Sequence, residues 1–148
     1  MSDPEIRLER TSKAPVDRLW ETLVRPALWW GEDVLLEPRP GGLFHEPWRD
    51  VEGQHHTRGK VLEIEPPRLL RLSWRDDDWD FGTQVRFSLS GKGEGSRILM
   101  CHSGWQAAPE PRQAGLLDDH RGGWNHHLGN LVACAEQRSS TLKDEVGA

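Results

Sequence analysis

The order of periodicities along the chain constrains its fold more than any single motif. Val16, Leu19, Trp20, Leu23 and Val24 recur at offsets of 3, 4, 7 and 8, one face of an α-helix. A long stretch of alternating apolar and polar residues follows, broken by clusters of glycine and proline, which is the pattern of half-buried strands. Helical spacing then returns through Arg121-Gly122-Gly123-Trp124-Asn125-His126-His127-Leu128. A short helix, a run of strands and a long helix together predict an α+β chain whose sheet buries its apolar face on the last helix. A sheet that holds one long helix leaves room for a cavity between them.

Between Glu5 and Arg10, Ile6 and Leu8 alternate with charged neighbours, a half-buried first strand. Pro15 suits the first turn of the helix that follows, Pro26 ends that helix, and Ala27 to Trp30 forms a further helical turn before Gly31. Gly41-Gly42 opens a strand with Phe44, Glu46 and Trp48 on one face and Leu43 and His45 on the other. A strand from about His55 to Glu65 stops at Pro66-Pro67, after which Leu70, Leu72 and Trp74 alternate with Arg71 and Ser73. Beyond the acidic turn Asp76 to Asp80, Val85, Phe87 and Leu89 alternate with Gln84, Arg86 and Ser88, so the two segments pair as a hairpin. After the glycine-rich turn 91–95, the strand Arg97 to Ser103 carries Ile98, Met100 and His102 on one face. Pro109 and Pro111 mark a loop. Leu117, Trp124, Leu128, Leu131, Val132 and Ala135 trace the last helix from Leu116 to about Gln137, where Gly122, Gly123 and Gly129 permit close approach or a bend. The expected order is strand, helix, short helix, six strands, helix. It makes one domain over residues 1–138 and a polar, frayed tail over 139–148.

Composition removes several functional classes. A chain of 148 residues suits one domain, which buries on the order of two thirds of its unfolded surface. Net charge is −5 with both signs interspersed, so no basic stripe is available to neutralise phosphates and no nucleic-acid partner is expected. Met1-Ser2-Asp3-Pro4-Glu5 has neither the basic nor the apolar region of a leader, and no apolar run approaches the ~18 residues of a membrane span. No membrane partner follows from that. Two cysteines, Cys101 and Cys134, fit reduced thiols in a cytoplasmic protein, with a bridge between them left open. Mean hydropathy is only −0.72. Eight tryptophans and three phenylalanines nevertheless supply bulk with few residues.

An ordered set of short signatures adds a resemblance. Ala14-Pro15-Val16 and Leu19-Trp20 open the first helix, Trp29-Trp30 follows it, and Gly41-Gly42-Leu43-Phe44 begins a strand. Glu65-Pro66-Pro67 precedes Leu70-Arg71-Leu72-Ser73-Trp74, and His102-Ser103-Gly104-Trp105 and Gly123-Trp124 come last. From Glu5 to Gln137 the chain resembles START-like (SRPBCC) domains of the activator of Hsp90 ATPase homologue 1-like branch. The resemblance implies a helix-grip, Bet v 1-like fold: a curved antiparallel sheet wrapped around a long C-terminal helix, with two short helices near the N-terminus. It implies no single chemistry, because members include ligand carriers, cyclases and cochaperone domains.

Function must therefore be read from the pocket. The concave face is expected to carry Phe44, Glu46, Trp48, Leu72, Trp74, Phe87, Met100 and His102, and the last helix to add Trp124 and Leu128. Such a set makes an aromatic pocket with two orienting polar groups, unless the side chains simply fill a core. An inward Glu46 must be paired, protonated or wet, and His102 could partner it. The first reading is a non-catalytic binder of a small apolar or aromatic molecule, in which Trp48, Trp74 and Trp124 stack and Glu46 and His102 orient. A polyketide cyclase- or hydrolase-like enzyme with Glu46 and His102 as acid and base is the second, although no activated nucleophile or third orienting group accompanies them. The third is a module that activates a chaperone ATPase, as the resemblance suggests.

No cofactor and no metal are expected. His120 and His127 lie two turns apart on one helical face, but no His-x-x-x-His pair exists. Asp76, Asp78 and Asp80 have the opening spacing of a calcium loop, yet Phe81 and Phe87 stand where its glycine and glutamate belong. Glycines 91, 93 and 95 precede a strand, so they present no helix N-terminus to a phosphate. Trp29, Trp30, Trp79 and Trp105 fall near element ends, where they can line the pocket mouth, join a homodimer or pack beneath loops.

Overall fold

The computed structural model describes residues 4–147, with side chains described to residue 139. The expectations for Met1-Ser2-Asp3 and for Ala148, the last residue of the tail, fall outside the described residues. Alternation along the chain becomes seven strands: β1 (Ile6–Ser12), β2 (Leu35–Leu36), β3 (Leu43–Asp50), β4 (Gly53–Glu65), β5 (Leu69–Asp76), β6 (Thr83–Lys92) and β7 (Gly95–Ser103). They form one antiparallel sheet in the order β1-β7-β6-β5-β4-β3-β2. Helix α1 (Val16–Leu23) and a 3₁₀ turn (Pro26–Leu28) separate β1 from β2, and a second 3₁₀ turn (Trp105–Ala107) leads into α2 (Glu110–Gly147). This is the α+β helix-grip arrangement.

The last helix is longer than its apolar pattern predicts. Pro111, expected in a loop, sits in the first turn of α2, where a missing N–H removes no intrahelical bond. At the other end neither proline nor glycine interrupts 130–146, so the backbone stays helical past Gln137. Among the described residues no helix is both long and apolar enough to cross a membrane.

The core sits where α2 crosses the sheet. Ile6, Leu70, Leu72, Val85, Phe87, Ile98 and Met100 from the strands meet Trp124, Leu128, Leu131 and Ala135 of α2, all at 2% exposure or less. Each large side chain buried this way stabilises by about 1.5–3 kcal/mol. Helix α1 adds Leu19 and Leu23 and is tied to α2 by Arg138, whose Nη1 donates to Thr22 Oγ1 at 2.8 Å. A register shift in β4 between Val61 and Glu63 lets both Val61 and Ile64 face the core, which strict alternation forbids. Cys101 and Cys134 are both free thiols.

Candidate functional site

Strand register builds one wall of a cavity of about 470 Å³. Residues opposed across antiparallel strands share a face, and Glu46 opposes Thr57, which opposes Asp76. A carboxylate, a hydroxyl and a second carboxylate thus lie in one row across β3, β4 and β5. In the next row Trp48 opposes His55, and their rings stack at 4.4 Å. Helix α2 supplies the facing wall, with His120, Trp124 and His127 four and three residues apart on one helical face. Trp30, just after the first 3₁₀ turn, closes the end by stacking on Trp74 at 5.9 Å and meeting Trp124 edge-on at 5.3 Å.

Several polar groups on these walls have defined partners. The Trp30 indole N–H donates to Glu46 Oε2 at 3.0 Å. Burial nevertheless pushes the Glu46 carboxyl up to about 7, against the lowering effect of that hydrogen bond and with a small contribution from the Asp76 charge. Trp48 donates to Thr57 Oγ1 at 3.0 Å, and Thr57 donates to Asp76 at 2.6 Å. Burial raises Asp76 above the usual range despite that bond. His120 donates from Nδ1 to the Leu116 carbonyl at 2.9 Å and accepts the Trp74 indole N–H at Nε2, 3.3 Å away. Those partners specify the neutral ring, in agreement with the lowered basicity that burial imposes. His127 lies 4.7 Å from Trp30, and burial lowers it to about 4. Its Nδ1, like Trp29 Nε1, is buried without a hydrogen-bond partner.

The ten residues expected in the pocket divide into two groups. Glu46, Trp48, Trp74 and Trp124 line the cavity. Phe44, Leu72, Phe87, Met100, His102 and Leu128 lie behind it, packed into the core at 2% exposure or less. The split follows the seating of α2, which packs along β1 and sets Trp124 on Phe87 and His102, so the cavity lies over β3, β4 and the end of β5. His102 is sealed in by its own partners. Its Nδ1 accepts the Trp124 indole N–H at 3.0 Å, and its Nε2 donates to Thr83 Oγ1 at 2.8 Å, which donates in turn to the Trp74 carbonyl at 2.9 Å. Both ring nitrogens are engaged, so His102 fixes the Trp124 indole and, through Thr83, the Trp74 backbone, and is not placed to share a proton with Glu46.

Several wall residues were absent from the expected set. Of the four tryptophans expected near element ends at a pocket mouth, an interface or beneath loops, Trp30 and Trp79 line the cavity, whereas Trp29 and Trp105 are buried. Asp76 was legible in principle, because it continues the parity of Leu72 and Trp74 by one more step of β5. Asp119, His120 and His127 share the helical face of Trp124. At the rim, Asp50, Glu52 and His55 bring three donor atoms within 4.8 Å of one another, but Asp50 and His55 already bond each other at 2.7 Å. Nothing besides this partly exposed cluster points to an ion there.

The burials imply acid sensitivity. His102, His120 and His127 are held neutral in the folded chain, so the stability they contribute is present above their ordinary value of 6.5. It is lost as pH falls toward the lowered folded values, about 4 for His127, because the unfolded chain binds the extra protons. Glu46 and Asp76 act in the opposite sense. Their raised values favour the protonated folded form, and Glu46 contributes stability below 4.5 that is lost as pH rises through about 7. With three histidines against two carboxyls, the urea midpoint is expected to drop between about pH 6.5 and about pH 5. A midpoint that rises on acidification would put the carboxyls in control.

Residues 13–136 match the family described as activator of Hsp90 ATPase homolog 1-like protein. No curated protein matches the chain. Among solved structures, DynU16, a protein in the dynemicin biosynthetic locus, is 23% identical with a TM-score of 0.72 over 93% of this chain and 49% of its own. The chain therefore spans about half the length of DynU16. Protein CV1439 from Chromobacterium violaceum is 23% identical with a TM-score of 0.69, covering 89% of this chain and 96% of that one. The solution structure of the Aha1 dimer from Colwellia psychrerythraea is 17% identical with a TM-score of 0.72, covering 90% and 96%. At these identities the likeness is one of fold.

Proposed function

Because the chain belongs to the activator of Hsp90 ATPase homolog 1-like family, a START-like family of helix-grip domains, we propose that it binds a small molecule with an apolar or aromatic body between β3–β5 and α2. The observation that carries this reading is the cavity of about 470 Å³, walled by Trp30, Trp48, Trp74, Trp79 and Trp124 around the Glu46 carboxyl. Its size and its mixture of aromatic surface with few orienting polar groups fit small-molecule sites, which commonly measure ~300 to 1,000 Å³. Indole faces bury ligand area at little conformational cost, since the rings already hold one another in place.

A thermal-shift screen against a chemically broad metabolite library tests the reading. A ligand present at 100 times its dissociation constant is expected to stabilise the folded state by ~2.7 kcal/mol. Related hits should weaken about tenfold in Trp74→Ala, whose ring lies between Trp30, Trp124 and Phe44. A blank screen with a sharp, cooperative melt would sink the proposal. A catalytic version rests on Glu46 alone, since a carboxyl at about 7 suits proton transfer near neutrality and His102 is otherwise engaged. That version requires a turnover that disappears in Glu46→Gln while binding persists.

A further inference from the structure

We propose that the cavity selects a cation, namely a protonated amine on an apolar or aromatic body, with the ammonium group set between Glu46 and Asp76 and the body against Trp30, Trp74 and Trp124. The inference rests on the binding reading above and names the class of ligand. Its first support is charge. Among the described residues the cavity wall carries six carboxyl groups and one guanidinium, that of Arg112, which lies 3.9 Å from Asp78. Two of the three wall histidines, His120 and His127, do not offset this excess, because burial holds them in the neutral form, and the third, His55, is already bonded to Asp50 at 2.7 Å. An anionic ligand would meet repulsion from most of the wall. An uncharged ligand would do nothing to offset the cost of ionising Glu46 and Asp76, which burial disfavours, whereas a cation would.

Hydrogen-bond capacity points the same way. Glu46 has one oxygen on the Trp30 indole and Asp76 has one on the Thr57 hydroxyl, while the second oxygen of each takes no protein donor among the described residues. An ammonium group offers three donors and no acceptor, so it suits two such oxygens in one row, on β3 and β5 to either side of Thr57 in β4. The tryptophans are an independent support. Trp30 and Trp74 stack while Trp124 stands edge-on to Trp30, so indole surface borders the same space as the carboxyl row. A cation over an indole face is attracted by the ring's quadrupole, most strongly where water is excluded.

The linkage to protons gives a signature that simple hydrophobic binding lacks. Asp76 faces Glu46 from β5, His55 and Asp50 border it from the β3–β4 hairpin, and Asp119, His120 and His127 face it from α2, while Trp30 is uncharged. A bound ammonium favours ionised Glu46, so binding releases a proton near neutrality. Amine affinity is expected to rise on the order of tenfold from about pH 6 to about pH 8.

The test is calorimetric titration of the purified chain at about pH 8 with three probes of one shape: 2-phenylethylamine, which is protonated there, uncharged 2-phenylethanol, and anionic 3-phenylpropanoate. The amine is expected to bind at least about tenfold more tightly than the alcohol, and the acid more weakly than either. Glu46→Gln, nearly isosteric and relieved of a buried charge, should bring amine and alcohol to within about threefold and abolish proton release. Asp76→Asn serves as the second variant should Glu46→Gln fold poorly, with the same narrowing expected. Equal affinity for amine and alcohol would overturn the cation proposal and leave the binding reading standing. Preference for the acid, or no binding of any probe, also overturns it, and the library screen then decides the binding reading separately.

Discussion

Replacing Trp124 by alanine is expected to cost the folded state about 3–5 kcal/mol and to remove the helical wall of the cavity. Trp124 is only 2% exposed and touches Trp30 and Trp74 at 5.3 Å and Phe87 at 5.7 Å, so truncation opens a hole bounded by rigid rings. The same change deprives His102 Nδ1 of its donor in a place that water does not reach. Leaving that nitrogen unpaired adds about 1–3 kcal/mol. Trp124→Phe helps to separate the two effects, because it keeps an aromatic ring in place and leaves a smaller hole while losing the N–H. Urea denaturation should rank wild type above Trp124→Phe and both above Trp124→Ala, and a loss below about 1 kcal/mol in the alanine variant would contradict the packing described.

Gly59→Ala should be at least as damaging, at or above the ~3 kcal/mol upper end of ordinary overpacking. A Cβ at this position would lie 1.9 Å from the Ser73 carbonyl oxygen and 2.9 Å from its carbon. A backbone carbonyl in a paired strand cannot rotate away, so β4 and β5 must part. Separation would also break the bond from the Lys60 amide to Ser73 Oγ, now 2.8 Å, and disturb the Phe44–Trp74 stack that spans β3 and β5. Gly91→Ala in β6 is the matched control, since nothing lies within 4 Å of its added Cβ. Equal urea midpoints for the two variants would refute the close approach at Gly59.

Gly59 also illustrates how far the sequence could be read. A glycine inside the strand that ends at Glu65 signals a close approach or a bulge, but only the pairing of β4 with β5 shows which carbonyl it meets. Glu46 is similar. Alternation placed it on the face of Phe44 and Trp48, and that is where it stands, whereas its partner Trp30 comes from an irregular connection that carries no periodicity. His102 shows the limit most plainly: its strand and face were legible, but the groups that enclose it, Thr83 and Trp124, come from β6 and α2.

Local periodicity by itself determined the kinds of element, their order, and which side chains of β3, β5 and β7 face the helix, because burying one face of a strand or helix is settled within a few neighbouring residues. Only the tertiary structure decided where the interior stays open. That depends on the summed volumes of side chains from α2 and several strands, and those volumes fill the space around Phe87, Met100 and His102 while leaving it free beside Glu46 and Asp76. The acidic character of the cavity was decided there too. It arises from register across three strands and from burial that moves a carboxyl by the loss of its water, and both are properties of neighbours distant in the chain.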